Sequence, residues 1–505
     1  MKTGLRSKML LVLFTAPVFC FSQYVTKDQV KGKAKEYYEM ADNDFQFGKL
    51  PPADSLFHLA VKEKDNFIDA WVQIGQLNLE YMHRFKEAAA AFEKVKLLSK
   101  DYMPEVDYQL GKCYLNMGEY GLAKTHINDY LKQDKIPAEN QFKCEKMLSD
   151  CDFGAEAMKH PYDFHPVNLG SGVNTAEDES MPTLTADEKY LYFTRHTGLG
   201  IYQDENIFMS IRTGNFFSPA EPLEFNTDQY VEGAQSISPS GKYLFFTSAE
   251  RPDGEGRADI YMTRKIGDHW DRPNNMGPPI NGPGWDAQPC ISADGRALYF
   301  ASIRQGTRGG SDLWVSYYDD KTGWGKPENL GDSINTQFDE MRPFIHPDGQ
   351  TLYFSSNGHP GMGNFDIYMS KKHADGAWGA PVDLGYPINT PGDEIGLYVT
   401  TDGSRAYYAS EQKDSKGQMD IYSFDMPAQF RPGYTSYIAG NVYDKDTRNS
   451  IPANVQVYDV ATGKLFATFS SDKLNGNFLS TLPAGKNYAV EVQKDGYLFY
   501  SQNIS

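Results

Sequence analysis

Between Tyr190 and Tyr422, short apolar runs return at a fixed interval. Their cores read Leu191-Tyr192-Phe193, Leu244-Phe245-Phe246, Leu298-Tyr299-Phe300, Leu352-Tyr353-Phe354 and Ala406-Tyr407-Tyr408, and the middle positions step by 53, 54, 54 and 54 residues. A turn pair stands directly before each run: Asp187-Glu188, Ser240-Gly241, Asp294-Gly295, Asp348-Gly349 and Asp402-Gly403. A second run follows, as Asn206-Ile207-Phe208, Asp259-Ile260-Tyr261, Asp312-Leu313-Trp314, Asp366-Ile367-Tyr368 and Asp420-Ile421-Tyr422. A turn followed by an aromatic and β-branched run is the signal of a β-hairpin. Five copies at one period are one supersecondary unit repeated in tandem.

An aromatic residue and a proline close the first four units: Phe217 with Pro219, Trp270 with Pro273, Trp324 with Pro327, Trp378 with Pro381. Each unit therefore has room for four short strands. Sheets of that size bury both faces only against neighbouring copies, which predicts a five-bladed propeller. The segment His165-Pro166-Val167-Asn168-Leu169-Gly170 matches Lys326-Pro327-Glu328-Asn329-Leu330-Gly331 between later units. A strand from it is expected to complete the last blade and leave no open edge.

Residues 27 to 155 change to helical periodicity with few β-branched runs. Ala53, Ala88 and Ala123 recur every 35 residues, and Gly75 and Gly111 hold matching places in the second and third units. This resembles the tetratricopeptide repeat, in which small residues let paired helices approach closely. A further helix near Ala138 to Cys151 is expected to cap the array. The resemblance implies a concave groove for a peptide or helix, or else a rigid spacer.

From Tyr437 onward, alternating runs are separated by turns: Ile438 to Asp444, Ile451 to Val457, Gly476-Asn477-Phe478, then Pro483-Ala484-Gly485 and Gly496-Tyr497. This order resembles the carboxypeptidase regulatory-like domain, an Ig-like β-sandwich without catalytic residues.

The start of the chain bears on its address. Lys2, Arg6 and Lys8 precede an apolar stretch from Met9 to Phe21, and Ser22 precedes Gln23. This reads as a cleaved signal peptide. Phe19 is bulky where a lipobox before Cys20 would need a small residue, so lipidation is the lesser expectation. No later stretch supplies the roughly 20 apolar residues of a spanning helix. Removing the three basic residues takes the formal charge from -18 to -21, which opposes binding to nucleic acid. Of the cysteines, Cys113 has the option of pairing with Cys144 or Cys151, Cys290 stands apart, and buried free thiols are an equal alternative. The expected organisation is a signal peptide at 1–22, helical repeats at 23–160, a propeller at 161–430 and a sandwich at 434–505.

Candidate chemistry is sparse. Glu179, Glu232, Asp286, Glu340 and Glu394 keep the 53- and 54-residue spacing. A ring of five carboxylates would bind a cation or basic ligand in the propeller funnel. The alternative is that each accepts hydrogen bonds within its own blade. Asp259, Asp312, Asp366 and Asp420 are expected to tie hairpin loops, and Asn206 breaks that pattern in the first copy. There is no nucleophile elbow, zinc-protease helix, phosphate-cradling loop or Cys-x-x-Cys pair, so no enzyme, metal or cofactor is expected. His160 and His165 sit in a linker, and Asp444 with Asp446 make only a fragment of a calcium loop.

The repeat Ser292-Ala293-Asp294-Gly295-Arg296-Ala297-Leu298-Tyr299-Phe300-Ala301-Ser302, followed by Gly309-Gly310-Ser311-Asp312-Leu313-Trp314, looks like the WD-like propeller repeat of TolB-type proteins. The order of signal peptide, tetratricopeptide repeats, propeller and regulatory-like sandwich resembles Bacteroidetes OmpA-family envelope proteins. Within them it is most similar to the PorE-like components of the type IX secretion system. The resemblance implies a non-enzymatic periplasmic scaffold at the outer membrane, with envelope or secretion-system proteins as partners. In the family an OmpA-like domain that grips peptidoglycan follows the sandwich, and nothing after Tyr497 supplies one. A TolB-like receptor for a peptide or glycan in the funnel is the second expectation, and a propeller enzyme the third.

Overall fold

The computed structural model describes residues 24–197, 204–227, 229–417 and 419–504. The expected signal peptide and Cys20 lie outside them. The chain divides into two compact units between Gln109 and Leu110.

The first unit is helical, with α1 (Lys33–Gln46), α2 (Leu50–Glu63), α3 (Ile68–Glu80), α4 (Phe85–Leu98) and the start of α5 (Val106–Asn116). Gly48, at φ 71, takes the left-handed conformation that stops α1. Pro51 then sits in the first turn of α2, where a missing N–H costs nothing. Ala41, Ala53, Phe57, Ala60, Phe67, Ile74 and Leu77 form one buried cluster. A Cβ on Gly75 would lie 2.6 Å from the Phe92 ring, so glycine there sets how closely α3 and α4 approach. Asp54, on α2, accepts from Asn78 Nδ2 at 2.9 Å and from Arg84 Nη1 at 3.4 Å.

The second unit begins within α5 and includes α6 (Tyr120–Tyr130) and α7 (Ala138–Ala157). The helix expected near 138–151 thus runs on to Ala157. Gly111 repeats the Gly75 device, its Cβ position lying 2.6 Å from Ile127 Cγ1. Among the described residues no helix is long and apolar enough to cross a membrane.

Five antiparallel sheets follow. Sheet I is built on Asp178–Leu184, Tyr190–Thr197 and Asp204–Thr213; sheet II on Val231–Ile237, Tyr243–Ala249 and Ala258–Ile266; sheet III on Asp286–Ile291, Ala297–Ser302 and Asp312–Asp319. Sheet IV comprises Glu340–Ile345, Thr351–Ser356, Asp366–Lys371 and Val382–Asp383, and sheet V comprises Ile395–Val399, Arg405–Ser410 and Asp420–Asp425. The outer position of sheet V is filled from far upstream, Val167 pairing with Ser423 and Asn168 with Tyr422.

Strand alternation explains how the sheets stack, because successive side chains leave opposite faces. Tyr192 packs with Leu244 and Phe246 of sheet II, whereas its neighbours Leu191 and Phe193 pack with Tyr407 and Ile421 of sheet V. The same division recurs at Phe245 toward sheet III, Tyr299 toward sheet IV, Tyr353 toward sheet V and Tyr407 back toward sheet I. The first strand of each sheet also packs beside that of the next, and that of sheet V beside that of sheet I. The arrangement is β-rich and propeller-like, with its core divided among the seams.

The last segment forms a two-stranded sheet, Thr435–Asn441 with Asn477–Pro483, and a four-stranded sheet containing Asn454–Asp459, Leu465–Ser470, Tyr488–Gln493 and Tyr500–Ile504. Both contribute to one core around Val455, Val457, Leu482 and Val490.

Candidate functional site

Each first strand carries one bulge, and the first residue of the bulge has a positive φ: Met181 at 52, Ala234 at 52, Gln288 at 55, Arg342 at 53 and Gly396 at 77. Only one of the five is glycine, so the other four hold a conformation costly for residues with a Cβ. Where the five bulges meet they line a half-open cavity of about 50 Å³ bordered by Met181, Gln235, Gln288, Arg342, Phe344 and Gly396 among others. A second cavity of about 30 Å³ adjoins it through Thr183, Ser236, Cys290 and Phe344.

The five repeated carboxylates lie two residues before the bulge residues, and none of them lines either cavity. All are buried, and each closes a loop in its own sheet. Glu179 accepts from Thr175 N at 2.9 Å and Thr175 Oγ1 at 2.6 Å; Glu340 from the same two atoms of Thr336, both at 2.7 Å; Glu394 from those of Thr390, at 2.8 and 2.6 Å. Thr227 donates similarly to Glu232, and Gly282 N donates to Asp286 at 2.8 Å.

What neutralises them differs around the ring. Arg195 meets Glu179 at 2.7 Å, Arg251 meets Glu232 at 2.6 Å and Arg304 meets Asp286 at 2.6 Å. Each guanidinium also lies over a ring, of Phe208, Tyr261 and Phe300 respectively. Burial raises the pKa of Glu179 and Glu232 against the pull of those arginines. Glu340 and Glu394 have hydroxyl and amide donors but, among the described residues, no arginine, and burial pushes them up to about 7 and about 8.

The second acidic series ties loops as the spacing suggests. Arg308 N donates to Asp312 at 3.0 Å, Met362 N to Asp366 at 2.9 Å and Lys416 N to Asp420 at 3.1 Å. An asparagine clamps three of these carboxylates: Asn275 Nδ2 on Asp259 at 3.0 Å, Asn329 on Asp312 at 2.6 Å, Asn168 on Asp420 at 2.7 Å. In sheet IV that clamp is Asp383, so Asp366 faces a second carboxyl group. Asp366 is buried and Asp383 half-buried, each keeps a buried oxygen without a partner among the described residues, and desolvation raises both. In sheet I, Asn206 Nδ2 donates to Asp204 at 3.3 Å.

A third series escaped the sequence reading. Asn174, Asn226, Asn281, Asn335 and Asn389 each bracket the amide and carbonyl of one residue in the preceding sheet: Ile421, Ile207, Ile260, Leu313 and Ile367. These stitches run round the whole ring, from sheet V to sheet I as between the others. Their signal was an Asn-Thr or Asn-Gly pair just ahead of each repeated carboxylate.

The helices of this unit meet sheet IV directly. Tyr120 Oη donates to Met362 O at 2.8 Å, Gly361 N donates to Asp150 at 3.1 Å, and the Phe142 and Phe338 rings stack at 4.9 Å. Lys146 pairs with Asp150 at 2.6 Å. Cys113, Cys144, Cys151 and Cys290 are all buried. His160 and His165 are exposed and pair with Glu156 and Asp163. Asp444 holds a turn through Asp446 N and Thr447 N. No cluster of three or more potential metal ligands exists among the described residues.

No family model and no curated protein matches the chain. Solved structures similar to it include the tetratricopeptide domain of P58(IPK), 22% identical over 25% of this chain and 35% of that one, with a TM-score of 0.23. The Yersinia enterocolitica type III secretion chaperone SycD, in complex with a peptide of the translocator YopD, is 16% identical over 25% of this chain and 95% of that one, with a TM-score of 0.22. The α-L-arabinofuranosidase of Lactobacillus brevis is 15% identical over 55% and 93% of the two chains, with a TM-score of 0.34. Likenesses this low carry no functional argument, and the chain spans about a third of the first of these.

Proposed function

We propose that this protein is a non-enzymatic scaffold of the bacterial periplasm. In this reading the five sheets are blades of a closed TolB-like propeller, the helices are tetratricopeptide repeats, and the C-terminal sheets form a regulatory-like, Ig-like sandwich. The propeller and the last helices present fixed docking surfaces to envelope proteins, in or beside a type IX secretion and gliding machinery. The observation that carries the proposal is the junction of α6 and α7 with sheet IV. Tyr120, Phe142 and Asp150 bind helix to sheet through a buried hydroxyl, a stacked ring pair and a carboxylate. A joint of this kind holds partners at a set spacing, which is what a scaffold requires. The carboxylates that repeat around the ring are spent on internal loops, which suits a supporting role.

The test is capture by tagged chain 24–505 from a detergent-solubilised native envelope, with a variant lacking residues 24–105 as control. Enrichment of secretion-system components, with part of it lost from the shortened chain, is the expected result. Retention of soluble peptides or glycans alone would replace the scaffold with the receptor reading.

A further inference from the structure

The bulge positions around the central cavity carry Met181, Ala234, Gln288, Arg342 and Gly396, so one of five equivalent places holds a charge. A buried arginine normally earns its place by pairing with a carboxylate. Arg195, Arg251 and Arg304 do so within their own sheets. Arg342 does not: the residue is half-buried, and its buried Nε and Nη1 make no hydrogen bond with any described residue. Its backbone N–H donates to Gln288 Oε1 at 2.9 Å, so the main chain is held while the buried edge of the head group, Nε and Nη1, has no partner among the described residues. Burial lowers its pKa to about 10, and the charges of Glu205 and Asp393 oppose that fall without either forming an ion pair with it.

We infer that the central cavity is a binding site for a small monocarboxylate, whose head group pairs with Arg342. Guanidinium is the side chain best suited to a carboxylate in a partly dehydrated site, being planar, permanently charged and weakly hydrated. The cavity volume, about 50 Å³, is several times the roughly 10–15 Å³ that one water needs, so a small anion fits. Arg342 offsets one negative charge, while Glu205 and Asp393 act electrostatically on the same site and repel any anion, more strongly the more charge it carries, which disfavours phosphate relative to a monocarboxylate. The remaining lining includes Met181, Pro182, Pro289, Pro343, Phe344 and Leu397, an apolar wall suited to a short alkyl group or the last side chain of a peptide. A free short-chain acid and a peptide C-terminus share this chemistry. The inference does not rest on the scaffold reading, since a ring that docks proteins on its outside is free to hold a ligand at its centre.

The experiment is calorimetric titration of chain 24–505 with acetate, butyrate, inorganic phosphate, and one short peptide as its free acid and its C-terminal amide. Saturable binding of butyrate ahead of acetate, with phosphate and the amide inert, is expected. Arg342→Met should weaken carboxylate binding by about tenfold or more, and Arg342→Lys by less. Binding of butyrate alone identifies a free acid as the ligand, and binding of the peptide acid identifies a chain terminus. Absence of saturable carboxylate binding, equal binding of the amide, or tighter binding of phosphate overturns the inference. The comparison of acid with amide uses the unaltered protein and decides even if Arg342→Met does not fold.

Discussion

Sheets I to III and sheets IV and V place a carboxylate at the same point of the same loop, yet discharge it in different ways. On one side of the ring an arginine under an aromatic face supplies the counter-charge. On the other, Glu340 and Glu394 have no cation and rise to about 7 and about 8, while Asp366 and Asp383 crowd together where other sheets pair Asp with Asn. A buried carboxylate tolerates either a charge partner or a proton. The ring therefore divides into a charge-paired arc and a proton-paired arc, and α7 packs on the second.

That division has consequences of graded size. Arg304→Met should cost about 3 kcal/mol by leaving Asp286 buried without its cation, seen as a lower urea midpoint, and sheets IV and V offer no equivalent site to break. Asn281→Ala, at the stitch between sheets II and III, and Asn389→Ala, at the stitch between sheets IV and V, each strip partners from a buried amide and carbonyl and should cost about 2–3 kcal/mol. Because the stitch is common to both arcs, the two losses should match; unequal losses would show that the arcs differ in more than charge.

The effect of pH is smaller and has a definite sign. A carboxylate whose folded pKa is raised contributes fully below its unfolded value, about pH 4, and that contribution is lost as pH rises through the folded value. Wild-type stability should accordingly fall between pH 5 and 8 on account of Glu340 and Glu394, whose folded values are about 7 and about 8. Glu394→Gln, which imitates the protonated group, should recover about 2 kcal/mol at pH 8 and little at pH 5, measured by denaturation at both. Asp383→Asn restores the amide clamp of the neighbouring sheets and should add about 1 kcal/mol at pH 8; no gain there would show that the two carboxyl groups are not in conflict.

Much of the architecture was legible in the chain. The hairpin cores stand in the second strand of each sheet, with the middle residue facing one neighbour and its flanks the other, as period-two alternation requires. Gly75 and Gly111 stand where helices approach, which small residues at matching repeat positions signal. The bulges were not legible, because Met181, Ala234, Gln288 and Arg342 have no residue type in common and none prefers a positive φ. Nor was the cavity, which depends on five bulges converging. The carboxylate series was visible in the spacing, but its role was not, since spacing does not reveal whether a side chain turns toward the centre or back onto its own loop. The difference between the arcs hinges on single residues such as Asp383, which read as noise until the hydrogen bonds are known.

The division into two arcs is tested most directly by a ¹³C NMR titration of glutamate side-chain carboxyls in chain 24–505, with Glu394→Gln used to assign one resonance. The account predicts that the Glu394 resonance titrates near 8 and vanishes in the variant. If every glutamate titrates in the ordinary carboxylate range below about 5, the proton-paired arc does not exist.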